Sequence, residues 1–260
     1  MIGLYFSGTG NTKYCLNTFL SLINQNAVSY AIENPESLLA LKNNSEIILG
    51  YPIYFSNIPF ILRDFIHTNG NLFQHKKIFI VATMGLFSGD GSGCAARLLR
   101  KCGAEIVGGL HLKMPDCIGD EKALKKGTEE NKKLILAATE TIKQESEAFL
   151  QGSPPQNGLS VFSHIAGLFG QRLWFYRKTT SYKEKPVINM RKCVGCGKCI
   201  RLCPTNNLRL EAGTAQGNKK CTMCYRCVSF CPSKAITILG KTLHEQCYLE
   251  KYVDDKALND

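Results

Sequence analysis

Residues 193–204 read CVGCGKCIRLCP, and residues 221–232 read CTMCYRCVSFCP. Each stretch spaces four cysteines as C-x2-C-x2-C-x3-C and follows the last one with proline. The two runs begin 28 residues apart, and at the same interval Leu208 and Leu210 recur as Ile236 and Ile238. This part of the chain is therefore predicted to be a duplicated half-domain with approximate two-fold symmetry.

The chain contains 13 cysteines, which is more than a protein of a reducing compartment needs as small buried residues. The first residues lack the basic flank and the long apolar run of a secretion signal, so we expect a cytoplasmic protein without a transmembrane segment. Disulfides do not form readily in that compartment, which leaves metal ligation for most of the thiols. The remaining cysteines are expected to be buried without a special role: Cys15, Cys94, Cys102, Cys117 and Cys247.

The two cysteine runs resemble those of bacterial two-cluster ferredoxins. The resemblance implies two 4Fe-4S clusters, one held by Cys193, Cys196, Cys199 and Cys231 and the other by Cys221, Cys224, Cys227 and Cys203. A zinc ribbon is the alternative, although it does not need four cysteines so close together, repeated with proline. Gly195 and Gly197 are expected to let the first loop bend towards its cluster. Met223 and Tyr225 stand in the same places in the second loop, so the clusters should differ in environment.

Residues 1–150 alternate short apolar runs with stretches that suit helices, which is typical of an α/β domain. The predicted strands lie in residues 2–6, 27–32, 46–54, 77–84 and 105–112. The predicted helices are Thr12–Ile23, Pro35–Leu41, Pro59–Thr68, Cys94–Cys102 and Glu121–Leu150. We expect a doubly wound sheet of five parallel strands.

The first predicted strand runs into a turn rich in glycine and hydroxyl groups and then into a helix, an arrangement that suits a phosphate. The turn consists of Ser7, Gly8, Thr9, Gly10, Asn11 and Thr12. It has no Gly-Lys-Ser/Thr sequence, which disfavours a nucleotide site of the Walker type. Here the domain resembles flavodoxin, and the resemblance implies that this loop holds the phosphate of FMN.

Two further loops are expected at the same carboxyl edge of the sheet, where open parallel folds bind ligands. The resemblance implies that they flank the flavin ring through Pro52, Ile53, Tyr54, Phe55, Met84, Gly85, Phe87, Ser88, Gly89, Asp90 and Gly91. Core packing is the alternative role for the three aromatic residues. Residues 91–96 also satisfy a dinucleotide pattern, but they do not follow the first strand, which argues against direct NAD binding.

Residues 151–185 are predicted to be a linker, because QGSPPQNG at 151–158 is rich in proline and glycine. A helix over Leu159–Arg177 is expected within it, with apolar residues on several sides. Packing between the two domains is the leading interpretation of these residues, with partner docking and membrane contact as alternatives. A small α+β cluster domain should follow at 186–240, and a C-terminal extension at 241–260.

The formal net charge is +11, and most of it belongs to the C-terminal part. Residues 1–150 hold 15 basic against 14 acidic side chains, whereas residues 151–260 hold 17 against 7. Bound clusters and a flavin phosphate would offset part of this charge, and no basic stripe with interleaved aromatics points to nucleic acid. The segment Arg172–Arg201 has nine basic residues and only Glu184 as an acid, so it either compensates cluster charge or docks an acidic redox partner.

Taken together, the chain resembles the flavodoxin-ferredoxin fusion proteins of anaerobic bacteria. The resemblance implies an oxidoreductase-type electron carrier that relays electrons between FMN, two 4Fe-4S clusters and a partner protein. An iron-sulfur flavoenzyme that reduces a small organic substrate at the flavin is the alternative, and a sensor that uses only its clusters is a third. No catalytic residue is assigned.

Overall fold

The computed structural model describes residues 1–175 and 181–253. The strands of the N-terminal part are β1 (Ile2–Tyr5), β2 (Ser29–Ala31), β3 (Glu46–Pro52), β4 (Lys77–Met84) and β5 (Glu105–Lys113). They form one sheet in the order β2-β1-β3-β4-β5, in which every neighbouring pair is parallel. The predicted doubly wound five-stranded sheet is therefore confirmed.

Helices cover both faces of this sheet. They are α1 (Asn11–Ile23), α2 (Glu36–Asn43), α3 (Phe60–Thr68), α4 (Gly91–Lys101) and α5 (Thr128–Leu150). The predicted start of the last helix at Glu121 was wrong. Lys122–Leu124 form a separate 3-10 turn, and the carboxylate of Glu121 accepts a hydrogen bond from the amide of Ala123. Because that turn ends in extended backbone, α5 begins seven residues later than predicted.

The strands are apolar on both faces because side chains alternate along a strand and each face meets a layer of helices. On the face covered by α1 and α5, Phe19 stacks on Phe79 with ring centroids 4.9 Å apart. Phe149 closes the same cluster with its ring edge-on to Phe79, at 5.1 Å. This packing fixes α1, and with it the loop that precedes α1.

The first residues of the segment predicted as a linker, 151–185, run beside the five-stranded sheet and form hydrogen bonds with it. The amide of Gly109 donates to the carbonyl of Pro155 at 2.8 Å, and the amide of Asn157 donates to the carbonyl of Gly109 at 2.7 Å. Residues 155–157 thereby pair with the outer edge of β5. That pairing covers backbone groups that an edge strand would otherwise expose.

The helix predicted over Leu159–Arg177 has an irregular centre. It consists of α6 (Val161–Gly167), a π-helical turn (Leu168–Arg172) and helical residues 173–175. Its predicted final residues, Tyr176 and Arg177, lie outside the described residues. We call residues 161–175 the bridging segment. The expectation that its apolar residues are buried between the domains was wrong, because most of them face outward.

Residues 181–253 contain two small antiparallel sheets and two short α-helices. The sheets pair β6 (Val187–Ile188) with β9 (Ile236–Thr237) and β7 (Leu208–Glu211) with β8 (Thr214–Gly217). The helices, Lys198–Leu202 and Arg226–Ser229, each follow the first part of a cysteine run. Equivalent elements thus recur in the two halves of the predicted repeat.

Residues 241–253 do not form a free extension. The amide of His244 donates to the carbonyl of Gly119, and the amide of Leu249 donates to the carbonyl of Thr9 at 2.9 Å. Leu249 and Tyr252 are buried in the core beneath α1 and α5. The chain therefore returns to the first domain, beside the turn that precedes α1. Within the described residues, no helix is long and apolar enough to cross a membrane.

Candidate functional site

A cavity of about 300 Å³ lies at the carboxyl edge of the five-stranded sheet. Its lining comes from the loops that follow β1, β3, β4 and β5. The strand order changes direction between β1 and β3, which is where open α/β sheets place their ligands. The volume falls at the lower end of the range for small-molecule sites.

Most of the predicted flavin residues lie together in this cavity. Those that line it are Ser7, Gly8, Thr9, Asn11, Thr12, Pro52, Ile53, Tyr54, Phe55, Met84, Gly85 and Phe87. The other predicted residues do not line it: Gly10, Ser88, Gly89, Asp90 and Gly91. The second half of the loop after β4 therefore turns away from the cavity.

The loop after β1 has the features of an anion site. Gly10 adopts φ 97°, a conformation that favours glycine, and α1 starts beyond it without a side-chain cap. The hydroxyl of Ser7 is buried and makes no hydrogen bond within the protein. The hydroxyl of Thr12 is already engaged, 2.7 Å from that of Thr83. An uncapped helix terminus and an unpaired buried hydroxyl on one loop fit a phosphate group.

A strained turn presents the aromatic residues of the next loop. Tyr54 and Asn57 exchange two backbone hydrogen bonds of 2.9 Å, while Phe55 and Ser56 between them have φ values of 52° and 56°. Such values cost non-glycine residues roughly 1–3 kcal/mol each. Stacking of Phe55 on Phe175, with centroids 4.5 Å apart, helps to hold the turn. Burial raises the pKa of Tyr54 well above 10, so its phenol faces the cavity as a neutral group.

Asp90 has a structural position instead of the predicted flavin contact. Its carboxylate is fully buried and forms ion pairs with Arg97 at 2.7 Å and Arg172 at 2.9 Å, and it lies within hydrogen-bond distance, 2.9 Å, of the ring of His164. Arg172 and His164 belong to the bridging segment. Asp90 therefore anchors that segment to the sheet domain, and the surrounding loop is drawn away from the cavity.

Sequence reasoning missed the wall contributed by the loop after β5, Met114–Ile118. The one signal for it was its position at the end of a parallel strand. Asp116 lies in this wall, and burial raises the pKa of its carboxyl group. A methyl group on Gly85 would lie 2.3 Å from an oxygen of Asp116, so the two loops meet closely. The other missed contributors are Thr83, Leu86, Leu124, Gln171, Phe175, Met223 and Tyr225.

Two smaller cavities in the C-terminal part each gather four of the predicted cluster ligands. One is lined by Cys193, Cys196, Cys199 and Cys231, which we call the outer quartet. The other is lined by Cys203, Cys221, Cys224 and Cys227, which we call the inner quartet. In each quartet the fourth cysteine comes from the other run, so the lining matches the exchange implied by the ferredoxin resemblance.

The thiols of a quartet also act on one another electrostatically. Burial raises the pKa of Cys199, and the charges of Cys231, Cys193 and Cys196 raise it further. Four thiolates in one pocket therefore need a cationic centre to offset their repulsion.

The two loops have the same backbone but different side chains. Gly195 and Gly197 have φ values of 64° and 70°, and Met223 and Tyr225 have 57° and 60° at the corresponding positions. The left-handed conformation suits glycine and is costly for methionine and tyrosine. Met223 and Tyr225 both line the large cavity, and the hydroxyl of Tyr225 donates to Asp120 at 2.9 Å. These contacts stabilise the unfavourable conformation.

The inner quartet lies directly against the loop after β1. A methyl group on Gly8 would lie 2.1 Å from the carbonyl oxygen of Cys224. The guanidinium of Arg226 donates to the carbonyl of Ser7 through Nη2 at 2.7 Å and through Nε at 3.1 Å, and it forms an ion pair with Glu33. The loop after β1 and the second cysteine run are thus joined without an intervening element.

Comparison with known families identifies both parts of the chain. Residues 2–100 match the flavodoxin domain family, and residues 185–232 match the 4Fe-4S dicluster domain family. The chain therefore carries a flavodoxin domain at its N-terminus and a 4Fe-4S dicluster domain near its C-terminus. The first implies a flavin and the second implies iron-sulfur chemistry, which together support a role in redox electron transfer.

Solved structures were also compared. Megasphaera elsdenii flavodoxin is 22% identical, with 54% of this chain and 99% of that chain covered and a TM-score of 0.40. Flavodoxin 2 from Bacillus cereus is 21% identical, with 58% and 97% covered and a TM-score of 0.41. Rubredoxin oxygen:oxidoreductase from Desulfovibrio gigas is 15% identical, with 57% and 36% covered and a TM-score of 0.39. A search of curated proteins found no match.

Proposed function

We propose that the protein is an electron carrier that binds FMN in the large cavity and one 4Fe-4S cluster in each cysteine quartet. The contact between Gly8 and the carbonyl of Cys224 carries this proposal, because it sets one quartet against the flavin loop. When bound, FMN supplies one- and two-electron redox chemistry, and each cluster supplies one-electron chemistry.

The positions of the two quartets define the order in which electrons would pass between the flavin, the clusters and a partner protein. Met223 and Tyr225, between the cysteines of the second run, line the FMN cavity, and no residue of the corresponding stretch Cys193–Cys199 does so. In the outer quartet Cys196 is exposed, and its neighbour Val194 is 69% exposed. The inner quartet is therefore the neighbour of the flavin, and the outer quartet is the contact with the outside.

The surface around Cys196 favours an acidic partner. Lys192, Lys198 and Arg201 are all exposed beside the outer loop. Within the described part of the chain, none of these three cations forms a salt bridge with a carboxylate. An acidic redox protein would meet unpaired positive charge at the exposed quartet, which favours fast, salt-dependent association.

The cover over the cavity supports a carrier in preference to a flavoenzyme with a small organic substrate. Gln171 and Phe175 reach the cavity from the bridging segment, and Met223 and Tyr225 reach it from the cluster domain. These side chains occupy space above the loops of the flavodoxin domain that a substrate would need.

The many thiols fit a reducing, cytoplasmic compartment.

Rapid-mixing spectroscopy of anaerobic protein tests the proposal, with an acidic ferredoxin as acceptor and the flavin and cluster bands followed separately. We expect Cys231→Ala to lose about four iron atoms and the transfer to the acceptor, while electron exchange between FMN and the inner quartet persists. Cys203→Ala should abolish both the electron exchange between FMN and the inner quartet and the transfer to the acceptor. Unchanged transfer in a variant shown to lack a cluster would exclude that cluster from the route. Reduction of a small organic acceptor that survives the loss of both clusters would support the flavoenzyme instead.

A further inference from the structure

The polar side of the bridging segment faces the rest of the protein. Arg172 and His164 bind the buried carboxylate of Asp90, and Gln171 accepts a hydrogen bond of 2.8 Å from the hydroxyl of Ser56. A helix on the surface of a globular domain normally buries its apolar side and exposes its polar side. This segment has the reverse orientation.

The outward side of the segment is almost entirely apolar. Phe162 is 85% exposed, Trp174 78% and Phe169 63%. Leu86 and Phe87, on the loop after β4, continue the same surface, because the ring of Phe87 lies 3.4 Å from where a methyl group on Gly170 would stand. We call this surface the apolar ridge, and its members on the segment are Val161, Phe162, Ile165, Phe169, Leu173 and Trp174.

The ridge is held in place by strong contacts. Asp90 has no solvent exposure and is bound by two arginines, and Arg172 also donates to the sulfur of Cys94 at 2.7 Å. Charge-assisted contacts to a buried carboxylate are among the stronger polar interactions in proteins. The fold therefore holds these apolar side chains in water, although exposing them is unfavourable in free energy. A contiguous exposed apolar surface of this kind marks an interaction site.

Charge and exposure indicate what covers the ridge. The sequence that follows the ridge, from Arg177 to Arg201, holds eight basic residues and one acid, so the partner surface is anionic. A second copy of the chain would bring two net positive charges together, even after bound clusters and a flavin phosphate offset part of the formal +11. Side chains of the ridge that are exposed by 49–85% meet water on the outer side of the segment. Apolar residues that can enter acyl chains, followed in the sequence by cations that can meet phosphate headgroups, are the requirements of an interfacial helix.

We propose that the apolar ridge lies on an anionic lipid bilayer, with its aromatic side chains at the boundary between headgroups and acyl chains. The described helical residues extend for about 20 Å, which suits a helix lying in the plane of the interface. Leu86 and Phe87 line the FMN cavity as well as the ridge, so membrane binding would bring the cavity close to the lipid surface. The proposal does not depend on whether the protein carries electrons.

Trp174 is the only tryptophan in the chain and reports directly on the ridge. The full, cluster-loaded protein should be mixed with vesicles of phosphatidylcholine alone and with vesicles containing phosphatidylglycerol. We expect a blue shift of the tryptophan emission and co-flotation with the anionic vesicles only, both weakened by high salt. No shift with either vesicle, or equal binding to neutral vesicles in high salt, would overturn the proposal.

Substitutions on the ridge distinguish lipid binding from self-association. Phe162→Ser combined with Phe169→Ser should lower the partition onto anionic vesicles by at least about tenfold, because two large apolar groups no longer leave water. Leu136→Ser, at another exposed apolar position on α5, is the matched control and should bind like the wild type. Equal binding by the double variant, or a dimer in solution that only the double variant abolishes, would show that lipid does not cover the ridge. Flavin and iron contents confirm that each variant is folded.

Discussion

Arg226→Ala tests how firmly the 4Fe-4S dicluster domain is joined to the loop after β1, where we propose that FMN binds. The guanidinium makes two hydrogen bonds to the carbonyl of Ser7 and an ion pair with Glu33. The side chains of Arg226 and Glu33 are 18% and 20% exposed. The substitution therefore removes the one described cation that spans from the inner cluster loop to the carbonyl of Ser7.

The expected energy follows from these contacts. Charge-assisted hydrogen bonds contribute about 1.5–3 kcal/mol, and removing one partner of a fully buried ion pair costs about 3–5 kcal/mol. Because about a fifth of each side chain meets solvent, screening reduces the second figure. One carboxylate oxygen of Glu33 is buried without a hydrogen bond and would be left beside an unpaired charge. We expect a loss of about 2 kcal/mol in the docking of the cluster loop.

The assay is an anaerobic titration of flavin-free, cluster-loaded protein with FMN, followed by the quenching of flavin fluorescence. If FMN binds only the docked loop, its Kd should rise by about threefold to thirtyfold in Arg226→Ala. Arg209→Ala removes the same charge from an exposed pair with Glu211 and should change Kd by less than about threefold. A double-mutant cycle with Glu33→Gln should give a coupling of at least about 0.5 kcal/mol. Equal Kd values in the two arginine variants, with no coupling to Glu33, would refute this account of the junction.

Three further predictions concern the domain of the five-stranded sheet. Gly8→Ala should destabilise the folded protein by about 1–3 kcal/mol, because the new methyl group would lie 2.1 Å from the carbonyl oxygen of Cys224. Gly127→Ala is the control, since its methyl group meets open space. Equal melting temperatures of the two variants would contradict the contact between Gly8 and Cys224. Ser7→Ala should weaken FMN binding by about tenfold. It should not lower the melting temperature, because the hydroxyl of Ser7 has no hydrogen-bond partner in the protein. An unchanged affinity for FMN would show that Ser7 does not bind the phosphate. Burial lowers the pKa of His111 to about 4, so its contribution to stability is present above about pH 6.5 and is lost as pH falls towards 4. Between pH 7 and pH 5 that loss should be about 2 kcal/mol by denaturant unfolding, and it should be smaller in His111→Gln; an equal loss in both proteins would contradict the assignment.

The elements that sequence predicted well depend on local patterns. The strands are short apolar runs, and the turn after β1 needs glycine at residue 10 because its φ is 97°. The 28-residue repeat predicted equivalent loops, and Met223 and Tyr225 do adopt the backbone of Gly195 and Gly197. Each of these features is determined within a few neighbouring residues or by duplication.

The elements that sequence predicted poorly depend on contacts between distant residues. Asp90 looked like a flavin-loop residue, but its partner Arg172 lies 82 positions further along the chain. Periodicity indicated a helix with apolar residues on several sides over Leu159–Arg177, but the buried carboxylate of Asp90 determines which side of the bridging segment faces inward. The wall formed by Tyr225 likewise depends on Asp120, which belongs to the other domain.

We propose that one chain holds a flavin and two four-iron clusters. Protein purified anaerobically and reconstituted with iron, sulfide and FMN should contain about eight iron atoms, about eight acid-labile sulfides and about one FMN per chain. Tightly bound zinc without acid-labile sulfide, or a chain that takes up clusters but no flavin, would contradict it.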